Sequence, residues 1–128
     1  MSISSLFLLD DHADTRMLVE HICSDYWPVD SYSNCTDART ALSTQSFDLL
    51  VLDLCLPDGS GRDMLRFARN HAASCNENTP AVAITAMVQP GQREALLSEG
   101  FDGYLAKPFC RADLLALCRA HLPDPPAS

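Results

Sequence analysis

Five short apolar runs, separated by segments with helical spacing, constrain the fold of this chain more than any other feature. Three of them are almost continuously apolar, which is typical of strands buried on both faces of a parallel sheet. The five runs are Ser5–Leu9, Val29–Tyr32, Leu49–Leu52, Ala81–Ile84 and Gly103–Ala106. The sequence therefore predicts five strands.

The segments between these runs carry apolar residues at the spacing of a helical face. The first has Leu18, Val19, Ile22, Cys23 and Tyr26, and the last has Leu114, Leu117 and Cys118 before Pro123. A strand followed by a helix, five times over, predicts a doubly wound parallel α/β sheet of the flavodoxin-like order 2-1-3-4-5. We expect one domain over residues 1–122 and a short disordered tail at 123–128.

The charge and the length of the apolar runs argue against several classes of partner. A net charge of −8, from 17 acidic and 9 basic residues, disfavours direct contact with nucleic acid. No apolar stretch approaches the roughly 20 residues that a membrane helix needs. The N-terminal segment also lacks the basic region of a signal peptide. We therefore predict a cytoplasmic protein without membrane insertion.

Six cysteines occur in the chain without a CxxC pair or a zinc-binding spacing. They are Cys23, Cys35, Cys55, Cys75, Cys110 and Cys118. Because nothing else indicates secretion, we predict reduced thiols that are mostly buried and act as small apolar residues.

Polar residues directly follow four of the predicted strands. Asp10 and Asp11 follow the first, Asp53 the third, Thr85 the fourth and Lys107 the fifth. The carboxyl ends of parallel strands share one edge of the sheet, and ligands bind there where the strand order reverses. In the predicted order this point lies between the first and third strands, which are the two that carry the aspartates.

Three clustered carboxylates repel one another and need a cation to offset their charge. Mg²⁺ prefers carboxylate oxygens, waters and phosphate oxygens, whereas the soft ligands that favour zinc or copper are absent. A carboxylate can also act as a nucleophile and form an aspartyl phosphate. The cation, the Lys107 ammonium and the Thr85 hydroxyl would then stabilise charge on the phosphoryl oxygens.

The motifs in this order resemble those of bacterial response regulator receiver domains. They are the Asp10-Asp11 pair, D-x-x-x-P-x-x-x-G at Asp53, Pro57 and Gly61, Thr85-Ala86, and Y-L-A-K-P-F at Tyr104–Phe109. The resemblance extends from the first strand to about Leu122. It implies a regulatory phosphoacceptor of a two-component system or phosphorelay rather than an enzyme, with self-catalysed phosphorylation.

The resemblance also implies a role for each site residue. Asp53 is the implied phosphoacceptor, and Thr85 and Lys107 contact the phosphoryl group. Tyr104 occupies the aromatic switch position, and the Lys107–Pro108 bond is cis in many relatives. The implied ligands of Mg²⁺ are Asp10, Asp11, Asp53 and the backbone carbonyl of Cys55.

The implied phosphodonor is a histidine kinase or a histidine phosphotransfer protein. Phosphorylation would reshape the face formed by the fourth helix, the fifth strand and the fifth helix, and so control an output protein that the sequence does not identify. The positions that influence hydrolysis in the family are occupied here by Cys55 and Met87. Because neither side chain readily orients a water, we predict slow autodephosphorylation.

Other functions remain open at this point. Asp10 and Asp11 suit the N-terminus of a helix, and a receiver-shaped domain can bind partners without phosphorylation. A haloacid-dehalogenase-like aspartyl phosphohydrolase needs an acid where this chain has Cys55. An FMN carrier needs a phosphate-binding loop where it has Asp10, Asp11 and His12. We expect His12 to be a solvent-facing loop residue.

Overall fold

Strands and helices alternate along residues 4–86 and 89–123, which the computed structural model describes. The strands are β1 (Leu6–Leu9), β2 (Val29–Tyr32), β3 (Leu49–Asp53), β4 (Ala81–Thr85) and β5 (Gly103–Ala106). The helices are α1 (Ala13–Cys23), α2 (Cys35–Thr44), α3 (Gly61–Asn70), α4 (Gln92–Ser98) and α5 (Arg111–Arg119). Each predicted apolar run forms a strand.

All strand pairs are parallel, and the sheet order β2-β1-β3-β4-β5 confirms the predicted topology. Every residue of β1, β3 and β4 is buried, whereas the edge strands β2 and β5 are partly exposed. This difference explains why the runs of the central strands are almost wholly apolar.

The core consists of two layers, one on each face of the sheet. Side chains alternate along β1, so that Phe7 and Leu9 contact the layer that contains α2 and α3. Leu6 and Leu8 contact the opposite layer, which contains α1 and α5. With both faces covered, ligands reach the sheet at the ends of its strands.

Some helix boundaries and helix faces differ from the sequence prediction. Tyr26 lies in the turn after α1 and not within the helix. Leu18 is 42% exposed, although the sequence predicts it on the buried face of the first helix. It is adjacent to the buried Val19, and a helix advances about 100° per residue, so only one of the two neighbours can face the sheet.

The C-terminal tail lies largely outside the described residues. The predicted disorder of residues 123–128 is therefore untested for 124–128. Pro123 is described, and its carbonyl accepts a hydrogen bond of 2.9 Å from the indole nitrogen of Trp27. No helix in the described part of the chain has the length and apolar character needed to cross a membrane.

Candidate functional site

An acidic cluster lies at the carboxyl ends of β1 and β3. Asp10 and Asp53 are buried, with 0% and 3% of their surface exposed, and Asp11 is half-buried. One carboxylate oxygen from each aspartate and a ring nitrogen of His12 all lie within 4.8 Å of one another. The pairing of β1 with β3 thus brings together carboxylates that are about 40 residues apart in sequence.

Lys107 extends from the end of β5 into this cluster. Its Nζ lies 2.7 Å from Asp10 Oδ2 and 3.4 Å from Asp53 Oδ2, and 16% of its side chain is exposed. Its backbone nitrogen donates a hydrogen bond of 2.8 Å to the carbonyl of Thr85, and the Lys107–Pro108 peptide bond is cis. The ammonium group therefore contacts both buried aspartates.

The electrostatic environment shifts the pKa of two members of the cluster. Burial raises the pKa of Asp53, and the nearby Asp10 raises it further, against the opposing hydrogen bond from the Cys55 amide and the charge of Lys107. Burial lowers the pKa of Lys107, but contacts with Asp10 and Asp53 outweigh this effect and raise it overall. Lys107 is therefore held as a cation beside carboxylates whose charge is costly to bury.

Two carboxylate oxygens in the cluster have unused capacity to accept hydrogen bonds. Asp10 Oδ2 and Asp11 Oδ1 are buried, and neither accepts a hydrogen bond of normal geometry from the described residues. Each lies beside a basic group, Lys107 Nζ at 2.7 Å and His12 Nδ1 at 3.2 Å. A cluster of carboxylate oxygens of this kind fits a hard divalent cation such as Mg²⁺.

Thr85 and Cys55 border the cluster, and Tyr104 lies farther along β5. Thr85 is buried at the end of β4 and lines, with Asp53, Cys55 and Lys107, an open cavity of about 490 Å³. The Cys55 amide donates a hydrogen bond of 3.0 Å to Asp53 Oδ1, while its side chain is exposed. Tyr104 is half-buried against the core layer that contains α2 and α3. Met87 lies outside the described residues.

Two residues that sequence reasoning did not place at the site also contact Asp10. The Arg16 guanidinium donates a hydrogen bond of 2.7 Å to the Asp10 carbonyl, and its position one turn into α1 gave no signal for this contact. His12 is 65% exposed, yet its Nδ1 lies 3.2 Å from an oxygen of Asp10 and 3.2 Å from one of Asp11. Its place directly after the aspartate pair was the available signal.

Known proteins with similar sequences are response regulators. The family model for the response regulator receiver domain matches residues 6–119. The transcriptional regulatory protein GltR of Pseudomonas aeruginosa is 35% identical over 120 residues, which cover 92% of this chain and 48% of GltR. The transcriptional regulatory protein CusR of Escherichia coli is 33% identical over 118 residues, which cover 91% and 50%. The chain thus spans about half the length of these relatives.

Solved structures share the fold. The chemotaxis protein CheY4 of Vibrio cholerae is 22% identical, with a TM-score of 0.84 and coverage of 94% of this chain and 100% of that one. The receiver domain of the sensor histidine kinase PA1611 from P. aeruginosa, solved with magnesium coordinated in its active-site cleft, is 27% identical, with a TM-score of 0.80 and coverage of 94% and 98%. On its strand order, its motifs and the family match over residues 6–119, this chain belongs to the receiver domain family of two-component response regulators.

Proposed function

We propose that this chain is a phosphoacceptor domain that receives a phosphoryl group on Asp53 and thereby changes its affinity for a protein partner. The domain would occupy residues 1–122. The observation that carries this proposal is the position of Lys107 Nζ, 2.7 Å from Asp10 Oδ2 and 3.4 Å from Asp53 Oδ2. A fixed ammonium at that point stabilises negative charge as it develops on a transferring phosphoryl group.

The proposed reaction moves a phosphoryl group from a phosphohistidine to Asp53. A carboxylate oxygen of Asp53 forms a bond to phosphorus while the bond between phosphorus and the imidazole nitrogen of the donor breaks. The donor imidazole keeps the electron pair and takes up a proton. The donor would be a histidine kinase or a histidine phosphotransfer protein. The open cavity beside Asp53 leaves room for its approach.

Asp10, Asp11, Asp53 and the backbone carbonyl of Cys55 would hold Mg²⁺. The carboxylate oxygens of Asp10, Asp11 and Asp53, which lie within 4.8 Å of one another, support this assignment, as does the magnesium in the related PA1611 receiver. The ion, when bound, offsets the charge of the carboxylates and of the phosphoryl oxygens. The Cys55 amide, by its hydrogen bond to Asp53 Oδ1, orients the acceptor carboxylate.

The conformational response would pass through β4 and β5. Thr85 and Lys107 are linked by a backbone hydrogen bond, and Tyr104 lies three residues before Lys107. A hydroxyl drawn toward the phosphoryl group and an inward-packed Tyr104 would change the face formed by α4, β5 and α5. The partner at this face would be a protein, because the net charge of −8 opposes direct contact with nucleic acid.

The test is phosphorylation by acetyl phosphate, followed by intact-protein mass spectrometry. With Mg²⁺, the parent protein should gain one phosphoryl mass, and Asp53→Asn should gain none. The matched control is Asp25→Asn at an exposed position after α1, which should be phosphorylated like the parent. EDTA should suppress the gain in the parent protein and in Asp25→Asn. An unmodified parent protein would support a receiver-shaped domain that works without phosphorylation.

Turnover of a phosphate ester distinguishes the rival function, an aspartyl phosphohydrolase, from the proposed phosphoacceptor. Such an enzyme would release many equivalents of phosphate from p-nitrophenyl phosphate. The proposed phosphoacceptor would release phosphate only slowly, because Cys55 occupies the position at which such an enzyme carries its second acid. Multiple turnovers that disappear in Asp53→Asn would favour the hydrolase.

A further inference from the structure

The loop of residues 54–60 connects the end of β3, which carries Asp53, to the start of α3. Its two ends lie together, because Gly61 at the start of α3 packs against the backbone carbonyl of Asp53. Near its first end, the Cys55 amide donates a hydrogen bond of 3.0 Å to Asp53 Oδ1. The orientation of the Asp53 carboxylate therefore depends on the path that this loop takes.

The outer end of the loop is a tight turn that rests on the start of α2. Leu56 and Gly59 form an antiparallel bridge across the turn, and the Leu56 amide donates a hydrogen bond of 3.2 Å to the Gly59 carbonyl. Leu56 packs against the core layer that contains α2 and α3. A β-carbon at Gly59 would lie 3.0 Å from Cys35 Sγ, so the turn is in close contact with the first residue of α2. Asp58 lies between the two bridge residues, at the tip of this turn.

The carboxylate of Asp58 joins this turn to α2. It accepts hydrogen bonds from the Cys35 amide, at 2.9 Å to Oδ1, and from the Thr36 amide, at 3.3 Å to Oδ2. The positive end of the helix dipole favours a carboxylate there. The helix also has its own N-cap, since the side chain of Asn34 accepts a hydrogen bond of 2.8 Å from the Asp37 amide. Asp58 therefore does more than begin a helix, because its bonds connect two segments that are 23 residues apart.

We propose that Asp58 is a positioning residue for the phosphorylation site, which acts through the backbone of Cys55. Cys55 lies between the end of β3 and the turn that Asp58 holds against α2. With both neighbours fixed, its amide is kept on the Asp53 carboxylate and its carbonyl stays where it would hold Mg²⁺. Without the Asp58 carboxylate the turn can leave α2, and both groups of Cys55 move with it. The effect on the metal rests on the proposed function, whereas the order of the loop does not.

Hydrogen–deuterium exchange of the full chain in EDTA tests the order of the loop without metal or phosphoryl group. In Asp58→Ala, peptides spanning residues 54–60 should exchange on the order of tenfold faster than in the parent protein, because the hydrogen bonds that oppose opening of the turn are lost. Asp58→Asn keeps one acceptor oxygen for the Cys35 amide and should show a smaller increase. The matched control is Asn34→Ala, which also weakens the start of α2 but should leave the exchange of the loop within about twofold of the parent protein.

Calorimetric titration of the full chain with MgCl₂ gives the readout that a purely structural role would not change. We expect Asp58→Ala to weaken Mg²⁺ binding about tenfold and Asn34→Ala to weaken it less than about twofold. Parent-like exchange or Mg²⁺ affinity in Asp58→Ala, or equal effects in the two variants, would overturn the proposal and leave Asp58 as a residue that stabilises α2. Acetyl phosphate labelling of the parent protein tests the proposed function separately, so either idea can fail without the other.

Discussion

A β-carbon at Gly61 would lie 2.5 Å from the backbone carbonyl oxygen of Asp53 and 3.1 Å from its carbonyl carbon. Gly61 is the first residue of α3, so this helix begins directly against the strand end that carries the proposed phosphoacceptor. Real β-carbons do not approach backbone so closely, and neither backbone can yield without displacing its element. This contact gives a steric reason for glycine at the end of the D-x-x-x-P-x-x-x-G motif.

We expect Gly61→Ala to lower the free energy of unfolding by roughly 2 to 3 kcal/mol, in the range for overpacked sites. Phosphorylation by acetyl phosphate should also slow, because the clash displaces Asp53 or α3. Urea unfolding can be followed by the fluorescence of the buried Trp27, which is the single tryptophan of the chain. The comparison is Gly103→Ala, whose β-carbon would meet Leu117 at 3.4 Å and Val82 at 3.7 Å. Equal costs for both variants would contradict the steric argument.

The parts of the structure that could be predicted are those with a local or periodic signal. The central strands were recognisable because both of their faces are buried, which leaves no position for a polar residue until the strand ends. The same rule identified Asp10 and Asp53 as site residues, since a charged residue that interrupts such a run must lie where the strand ends.

The parts that could not be predicted depend on contacts between distant segments. Asn76 is buried and donates hydrogen bonds to the carbonyls of Leu42 and Gln45, more than 30 residues away. The contact of Arg16 with the Asp10 carbonyl and the orientation of His12 likewise depend on how α1 leaves β1. The contacts of Asn76 and Arg16 leave no pattern in the sequence, because a single polar side chain looks the same whether or not it has a partner, and for His12 the only signal was its place directly after the aspartate pair.

Lys107 should be essential for the stability of the metal-free protein. Lys107→Ala leaves Asp10 and Asp53 buried without their cation, and breaking such a pair from one side costs roughly 3 kcal/mol. Urea unfolding in EDTA measures this loss. Mg²⁺ should restore part of the lost free energy of unfolding, because the ion binds the native state. At a concentration a hundred times the dissociation constant, the gain is about 2.7 kcal/mol.

A double-mutant cycle provides the control for this prediction. In an Asp53→Asn background, Lys107 has one buried carboxylate fewer to neutralise, so Lys107→Ala should cost less there than in the parent protein. An identical cost in both backgrounds would mean that the charge of Asp53 does not contribute to the effect.

The ionisation of Asp58 should make the free energy of unfolding depend on pH in the acidic range. Its carboxylate accepts hydrogen bonds from the amides of Cys35 at 2.9 Å and Thr36 at 3.3 Å, and so holds the start of α2. The bond from the Cys35 amide is the main reason that the pKa of Asp58 lies below its ordinary value of 3.8. The ionised form favours the folded state, so its contribution is complete above about pH 4 and is lost as the pH falls through the lowered pKa.

Asp58→Asn should therefore be less stable than the parent protein at pH 7, with the gap narrowing below pH 4. The urea midpoints of the variant and the parent protein, measured at each pH between 7 and 2.5, give the difference in stability. The other titrating groups contribute equally to both proteins and cancel in this difference. The same series for Asp25→Asn, at an exposed position, controls for the loss of one surface charge. A gap that stays constant over this pH range would show that the carboxylate charge is not what holds α2.

The six cysteines should divide equally between reactive and protected thiols. All six are free, with Cys55, Cys75 and Cys110 exposed and Cys23, Cys35 and Cys118 buried, so the expectation of mostly buried thiols was wrong for half of them. Burial, reinforced by Asp58, raises the pKa of Cys35 to about 11. A hydrogen bond with Cys23 raises the pKa of Cys118 and lowers that of Cys23, but neither side chain is exposed.

Native protein at pH 8 should react rapidly with three equivalents of 5,5′-dithiobis(2-nitrobenzoic acid), and protein in 8 M urea with six. Replacing any one of the exposed cysteines by serine should reduce the rapid count to two, whereas Cys118→Ala should leave it at three. Because the reagent must reach a thiolate, the slow equivalents from Cys23 and Cys118 should appear at the rate of opening of the α1–α5 layer. The slow equivalent from Cys35 should appear at the rate of opening of the layer that contains α2 and α3. Rapid reaction of five or six thiols would mean that the packing of Cys23 against Cys118 is not maintained in solution.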